Sequence, residues 1–238
     1  MTVRVHRYSD ANQLCRGVAS HLARAVAERQ ANGAVMTLCL SDGLAGVCSS
    51  FGAGLDTTAI DPARLDLWWS DERFVDITDP TRVSTKTLAA LGTSWRFDPA
   101  NVHPMPTASG NPDVDAAALQ HAGELGDTMF DLAILAMGKD GSVAGLRPGS
   151  PAFVSATPHT VVGVTDDRGE RLTLTMSTLA RSRAVWFVAS SGAAAETLKR
   201  VVDGDATLPA GALRGRSQTH MFVDEAAAAN LPTYHCDL

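Results

Sequence analysis

Cysteine is scarce in this chain of 238 residues: there are four, at Cys15, Cys39, Cys48 and Cys236, with no Cys-x-x-Cys spacing among them. That scatter gives neither a disulfide framework nor a zinc site, and the four read as buried free thiols. Positive charge is also in short supply. A formal net charge of −6 leaves no basic stripe to neutralise a phosphate backbone, which excludes nucleic acid as a partner. It does not exclude a small anionic substrate, for which a few local arginines suffice. No apolar run approaches the roughly 18 residues of a membrane helix. Residues 1–30 carry Arg4, His6, Asp10, Arg16, Arg24, Glu28 and Arg29 where a signal peptide needs an uninterrupted apolar core. The chain therefore reads as cytoplasmic, with no membrane partner. There is no repeat period and no low-complexity block. The turn-rich stretches 109–113 and 203–211 do not shift composition enough to mark a boundary, so residues 1–238 read as one domain.

What is present is an alternation. Asp10, with Gln13 three residues later, is a variant of the capping box, and Leu14, Val18, Leu22 and Val26 recur on one face of a helix ending near Asn32-Gly33. Short apolar runs at 36–40, 65–69, 131–136, 160–164, 184–189 and 220–223 read as strands. Helical patterns lie at 85–91, 114–125, 174–179, 193–202 and 224–231, the last with its four alanines. Strands alternating with helices predict an α/β fold: a single-domain, Rossmann-like doubly wound, mostly parallel sheet with helices on both faces.

In such sheets ligands sit outside the carboxyl ends of the strands, and several turns there carry polar residues. Leu40-Ser41-Asp42-Gly43 follows the run at 36–40; a small-residue turn between strand and helix aims backbone N–H groups at one point and suits a phosphate. Ser70-Asp71-Glu72-Arg73 ends the run at 65–69. Arg73 offers the planar donor fork that matches phosphate or carboxylate oxygens, and Asp71 either accepts from sugar hydroxyls or holds that arginine. Gly138-Lys139-Asp140-Gly141-Ser142 ends the strand at 131–136. A serine hydroxyl cannot act as a base without a neighbouring base, so Asp140 beside Ser142 matters, and His103, His121 and His220 are further candidates for that role. His103, on a proline-flanked connector, reads as structural.

Taken together, segment 130–151, Asp71-Glu72-Arg73-Phe74-Val75 and Glu170-Arg171-Leu172-Thr173-Leu174-Thr175 resemble the 6-phosphogluconolactonase family of the glucosamine-6-phosphate isomerase/lactonase superfamily. The resemblance spans nearly the whole chain. It implies hydrolysis of 6-phospho-D-glucono-1,5-lactone to 6-phosphogluconate in the oxidative pentose phosphate pathway, by a carboxylic ester hydrolase without cofactor or metal. It also implies a small-molecule sugar-phosphate lactone as partner, with a monomer favoured. By the same resemblance Asp140, Ser142 and Asp71 form the catalytic set, and Ser41, Gly43, Arg73, Gly141 and Arg171 bind substrate. At four family positions this chain differs: Asp42 replaces a glycine, Val83 an asparagine, Ser142 the histidine that serves as general base, and Ala195 a lysine, with Lys199 about a turn beyond. Arg147 stands where the family has phenylalanine and is a further anion contact or a surface charge. The four departures carry a second reading, a catalytically degenerate relative that binds a sugar phosphate or a protein partner without turnover.

Overall fold

The computed structural model of the protein describes residues 3–53, 59–92 and 95–232; Cys236 lies outside them. The chain opens with β1 (Val3–Tyr8) and α1 (Ala11–Gln30), followed by β2 (Met36–Leu40), α2 (Ala45–Gly52), β3 (Leu65–Trp69), β4 (Asp71–Arg73), α3 (Val83–Leu91) and β5 (Val102–His103). It continues through α4 (Val114–Leu125), β6 (Leu132–Ala136), α5 (Pro151–Val154), β7 (Val161–Asp166), β8 (Gly169–Leu174) and α6 (Met176–Leu179). It closes with β9 (Ala184–Ala189), α7 (Ala195–Val202), α8 (Pro209–Ala212) and β10 (Gln218–Asp224).

Seven strands form one sheet in the order β1-β10-β9-β6-β2-β3-β5, and every pairing in it is parallel. From β2 the chain moves outward through β3 to β5, then returns to lay β6 against the other side of β2. The strand order therefore reverses between β2 and β6, which opens a crevice at their carboxyl ends. Alternation along each strand sorts the core into two layers. Leu38, Leu40, Leu65, Leu67 and Ile134 meet α1, α2 and α3 on one face. Cys39, Ala133, Leu135, Val185 and Phe187 meet α4, α7 and α8 on the other. Helices thus cover both faces, as the alternation predicted. No helix among the described residues is long and apolar enough to cross a membrane.

Local chemistry explains the boundaries. Asp10 caps α1 by accepting from Gln13 N at 2.8 Å, and Leu14, Val18, Leu22 and Val26 are buried as their spacing required. Asp113 does the same for α4 through Ala116 N at 2.7 Å. Cys39 and Cys48 are free and buried and Cys15 is half-buried; burial pushes the Cys48 thiol up to about 12.

Three expectations need correction. The run at 160–164 belongs not to the main sheet but to a second, three-stranded antiparallel sheet, β4-β8-β7. The helix expected from residue 174 begins only at Met176, because Leu174 ends β8 and Thr175 caps the helix through Thr178 N. Residues 224–231 form turns rather than a helix. The Asp224 carboxylate accepts from Ala227 N at 2.7 Å and Ala228 N donates to Asp224 O at 3.0 Å, which begins a helical turn, but Leu231 N then bonds Ala228 O at 2.9 Å and the turn is not propagated despite the alanines.

Candidate functional site

The crevice at the ends of β2, β3 and β6 is a cleft of about 310 Å³, lined by Ser41, Asp42 and Gly43, by Asp71 and Arg73, by the stretch from Gly138 to Gly145, and by Arg168 and Arg171. The small sheet forms one wall. Antiparallel pairing sets Arg73 opposite Arg171 and Asp71 opposite Thr173, so all four side chains share a face. Two guanidinium groups facing each other repel; Asp71 resolves this by accepting from Arg171 Nη2 at 2.5 Å. The other Asp71 oxygen accepts from Ser70 Oγ at 3.0 Å and sits 3.5 Å from Asp42 N. Burial pushes the Arg171 guanidinium down, but the Asp71 charge and hydrogen bond, with Asp42 and Glu72 behind them, outweigh it and the net shift is upward. Arg171 is 4% exposed, and its Nε, like that of Arg73, is buried without a hydrogen-bond partner. Among the described residues Arg73 forms no ion pair. Both guanidinium groups line one cleft, and such a pair of planar forks matches an oxyanion.

Glu72 alternates to the opposite side, where it is fully buried. Its carboxylate accepts from Val83 N at 2.6 Å, Ser84 N at 2.9 Å, Ser84 Oγ at 2.8 Å and Arg73 N at 2.8 Å, with Arg82 Nη2 3.6 Å away. It thereby caps α3 and fixes the strand that aims Arg73. Val83 is 1% exposed, packed in the core.

On the β2 side, Ser41 is buried and its hydroxyl is spent, accepting from Ala136 N at 2.7 Å and donating to Asp42 O at 2.9 Å. It ties the ends of β2 and β6 together as part of the wall. Gly43 has φ +85, and a Cβ there meets Ala136 Cβ at 3.0 Å, so backbone and space both require glycine. The Asp42 carboxylate is turned onto Lys86 Nζ at 2.9 Å and accepts from Gly43 N at 2.9 Å. Burial raises its pKa, but Lys86 dominates and holds the group below the ordinary carboxylate range.

The turn after β6 is closed by Gly141 N to Gly138 O and Gly138 N to Ser142 O, both 2.9 Å, with Gly141 at φ +82. Ser142 Oγ donates to Asp140 Oδ1 at 2.6 Å, and Ser142 N reaches the same oxygen at 3.1 Å. Burial works against ionisation of Asp140, but these bonds and Arg147 win and its pKa is lowered. Beyond the turn, Ala144 has φ 52, a conformation costing a non-glycine residue about 1 kcal/mol or more; Thr173 Oγ1 holds it by donating to Ala144 O. The Ala144 and Gly145 N–H groups form no hydrogen bond among the described residues and line the cleft.

Among the described residues no histidine lines the cleft. His103 lies between Asp66 and Glu124, each at 2.9 Å, stacked on Trp68 with centroids 4.0 Å apart, and His121 joins it on Glu124 at 3.2 Å. His220 contacts His6 at 3.2 Å at the other edge of the sheet. Ala195 is buried at the start of α7, and Lys199 pairs with Asp203 at 2.6 Å. Arg147 bonds Asp167 at 2.7 Å and stands 3.8 Å from Asp140 and 3.7 Å from Asp166.

Lys86 and Arg168 carry no local signal of a role at the site. Lys86 sits inside an ordinary helix, and only the fold brings it to Asp42. Arg168 occupies a charged hairpin turn, Asp166-Asp167-Arg168-Gly169, which reads as solvated surface.

Comparison with known proteins agrees with this fold. Residues 9–222 match the family described as glucosamine-6-phosphate isomerases/6-phosphogluconolactonase. The chain is 33% identical to the 6-phosphogluconolactonase of Streptomyces coelicolor, over 96% of this chain and 94% of that protein. It is 30% identical to that of Mycobacterium leprae, over 98% and 100%. Among solved structures, the 6-phosphogluconolactonase of Thermotoga maritima superposes with a TM-score of 0.82 at 22% identity, over 94% of this chain and all of that one. A monomeric glucosamine-6-phosphate deaminase gives 0.78 at 18%, over 96% and 100%, which bears on the fold alone. With its parallel sheet, its switch-point cleft and these relatives, the chain belongs to the glucosamine-6-phosphate isomerase/6-phosphogluconolactonase family.

Proposed function

We propose that the protein is a 6-phosphogluconolactonase, opening 6-phospho-D-glucono-1,5-lactone to 6-phosphogluconate, and that it works in the cytosol as a monomeric single-domain enzyme. The observation that carries this reading is the pair of guanidinium groups, Arg73 and Arg171, lining a cleft at the strand ends of a chain 33% identical to a named lactonase.

The ring ester is opened by water. Arg73 and Arg171 hold the phosphate, and Asp71, fixed by Arg171 and Ser70, leaves lone pairs for sugar hydroxyls. A water accepted by Ser142 Oγ attacks the lactone carbonyl carbon. Its proton passes toward Asp140, whose Oδ1 already takes the serine proton. Negative charge develops on the carbonyl oxygen, and the Ala144 and Gly145 N–H groups are the free donors beside it. Collapse breaks the bond from that carbon to the ring oxygen, which takes up the proton; the carboxylic acid so formed then loses its own proton to bulk water and leaves as the carboxylate. A carboxylate of lowered pKa is a weak base, so positioning and oxyanion donors supply most of the acceleration. A δ-lactone, which opens in water unaided, asks for little more.

The test is an NMR assay of fresh lactone. An opening rate proportional to protein concentration supports the proposal; a rate equal to the buffer blank with ample folded protein overturns it. That no histidine among the described residues lines the cleft favours the second reading, binding without turnover, in which 6-phosphogluconate binds in calorimetry while the lactone rate stays at the blank.

A further inference from the structure

The hairpin joining β7 to β8 hangs its turn residue, Arg168, over the cleft that holds Arg73 and Arg171. In this structure Arg168 Nε and Nη2 both rest on one oxygen, Asp166 Oδ2, at 3.3 and 3.1 Å, and the side chain is 43% exposed. That single-oxygen contact leaves much of the guanidinium fork without a partner. Asp166 has other support. It accepts from Arg168 N at 2.8 Å, which shapes the turn, and Arg147 Nη1 lies 3.7 Å from the same oxygen that Arg168 uses. One carboxylate is thus shared by two arginines, and releasing the Arg168 side chain does not strand a buried charge.

The other cations named above are otherwise engaged. Arg171 is spent in part on Asp71, Lys86 on Asp42 and Lys199 on Asp203, while Ala195 offers no charge. A phosphate carrying close to two negative charges at neutral pH then has Arg73 as its one cation without an ion-pair partner among the described residues. Resting on the lactonase reading, we propose that Arg168 is the specificity-determining clamp for the substrate phosphate. It exchanges Asp166 for the phosphate when substrate binds, with Arg147 retaining Asp166. Asp166 is then the competitor that holds the clamp open in the empty enzyme.

This gives substitutions of opposite sign at adjoining positions, which a merely structural role for the hairpin does not produce. Arg168→Ala removes a charge-assisted contact and raises KM for the phosphorylated lactone about tenfold or more. The preference for phosphorylated over unphosphorylated glucono-1,5-lactone shrinks by the same factor, and Arg168→Lys recovers part of it. Asp166→Asn keeps an oxygen for the Arg168 N–H but drops the competing charge, and lowers KM. Calorimetry with 6-phosphogluconate reads the same shifts in Kd without requiring turnover, so binding with a blank-level lactone rate defeats the lactonase reading alone. An unchanged KM and Kd in Arg168→Ala, or a loss in Asp166→Asn equal to that in Arg168→Ala, overturns the clamp. Failure of the folded wild type to bind 6-phosphogluconate at all overturns both.

Discussion

Removing the Glu72 carboxylate is the sharpest test of how the cleft is framed. In Glu72→Ala the N–H groups of Arg73, Val83 and Ser84 and the Ser84 hydroxyl lose their acceptor, and Arg82, 3% exposed, loses its counter-charge. Each buried donor left unpaired costs about 1–3 kcal/mol, and stripping one partner from a buried ion pair costs about 3–5 kcal/mol. These overlap, because Arg82 keeps its bond to Met105 O at 2.7 Å and water enters the hole left by the side chain. The expected net loss is about 3–5 kcal/mol, or roughly 6–20 °C in Tm for a chain of this size. Glu72→Gln keeps the shape and one carbonyl oxygen but not the charge, and loses about 1–2 kcal/mol. Urea unfolding followed by circular dichroism measures both. A loss below about 1 kcal/mol for Glu72→Ala refutes the view that this carboxylate fastens α3 to the strand bearing Arg73.

Other consequences are independent of that elbow. With no histidine lining the cleft among the described residues, kcat at saturating lactone, corrected for the blank, has no inflection near pH 6.5, since the substrate phosphate's own ionisation at about 6 is felt in kcat/KM. Ser142→His introduces one and raises the rate about 10²-fold, and an inflection already present in the wild type contradicts the placement of the histidines. Because Lys86 neutralises Asp42, Lys86→Met raises KM for the phosphorylated lactone about fivefold, and adding Asp42→Gly returns it toward wild type; no difference between the single and double variants refutes the neutralisation. His6 is pushed from 6.5 down to about 4 by burial and by its neighbours His220, His21 and Arg4. The unfolded chain therefore binds the extra proton between those values, and stability falls as pH drops from 6.5 to 4. His6→Phe, which keeps the stacking on Phe222, flattens that slope, whereas parallel urea midpoints for both proteins across the window contradict it.

The main sheet was legible because its central strands are buried on both faces. Met36–Leu40, Leu65–Trp69 and Ala184–Ala189 are continuous apolar runs between turns, a pattern that needs no tertiary information. Val3–Tyr8 escaped because an edge strand half in water interleaves Arg4, His6 and Arg7 with its apolar residues. Gly169–Leu174 escaped because a polar strand is recognised only through its hairpin partner. At the site, the turns that face the cleft were visible as polar residues at strand ends. The Asp71–Arg171 pair joins residues 100 positions apart, and the Ser41 hydroxyl is consumed by Ala136, 95 positions away. Such partnerships depend on topology and leave no local signal. The same holds for the histidines: His103 and His220 sit on strands as the cleft residues do, but toward opposite edges of the sheet.

The account stands or falls on initial rates of lactone opening, measured by ³¹P NMR for the wild type and Arg73→Ala side by side on freshly generated 6-phosphoglucono-1,5-lactone. It predicts a wild-type rate above the blank that scales with protein, and a KM raised about tenfold or more when the unpaired guanidinium is removed. Equal rates for the two folded proteins, at the blank or above it, contradict the assignment of that chemistry to this cleft.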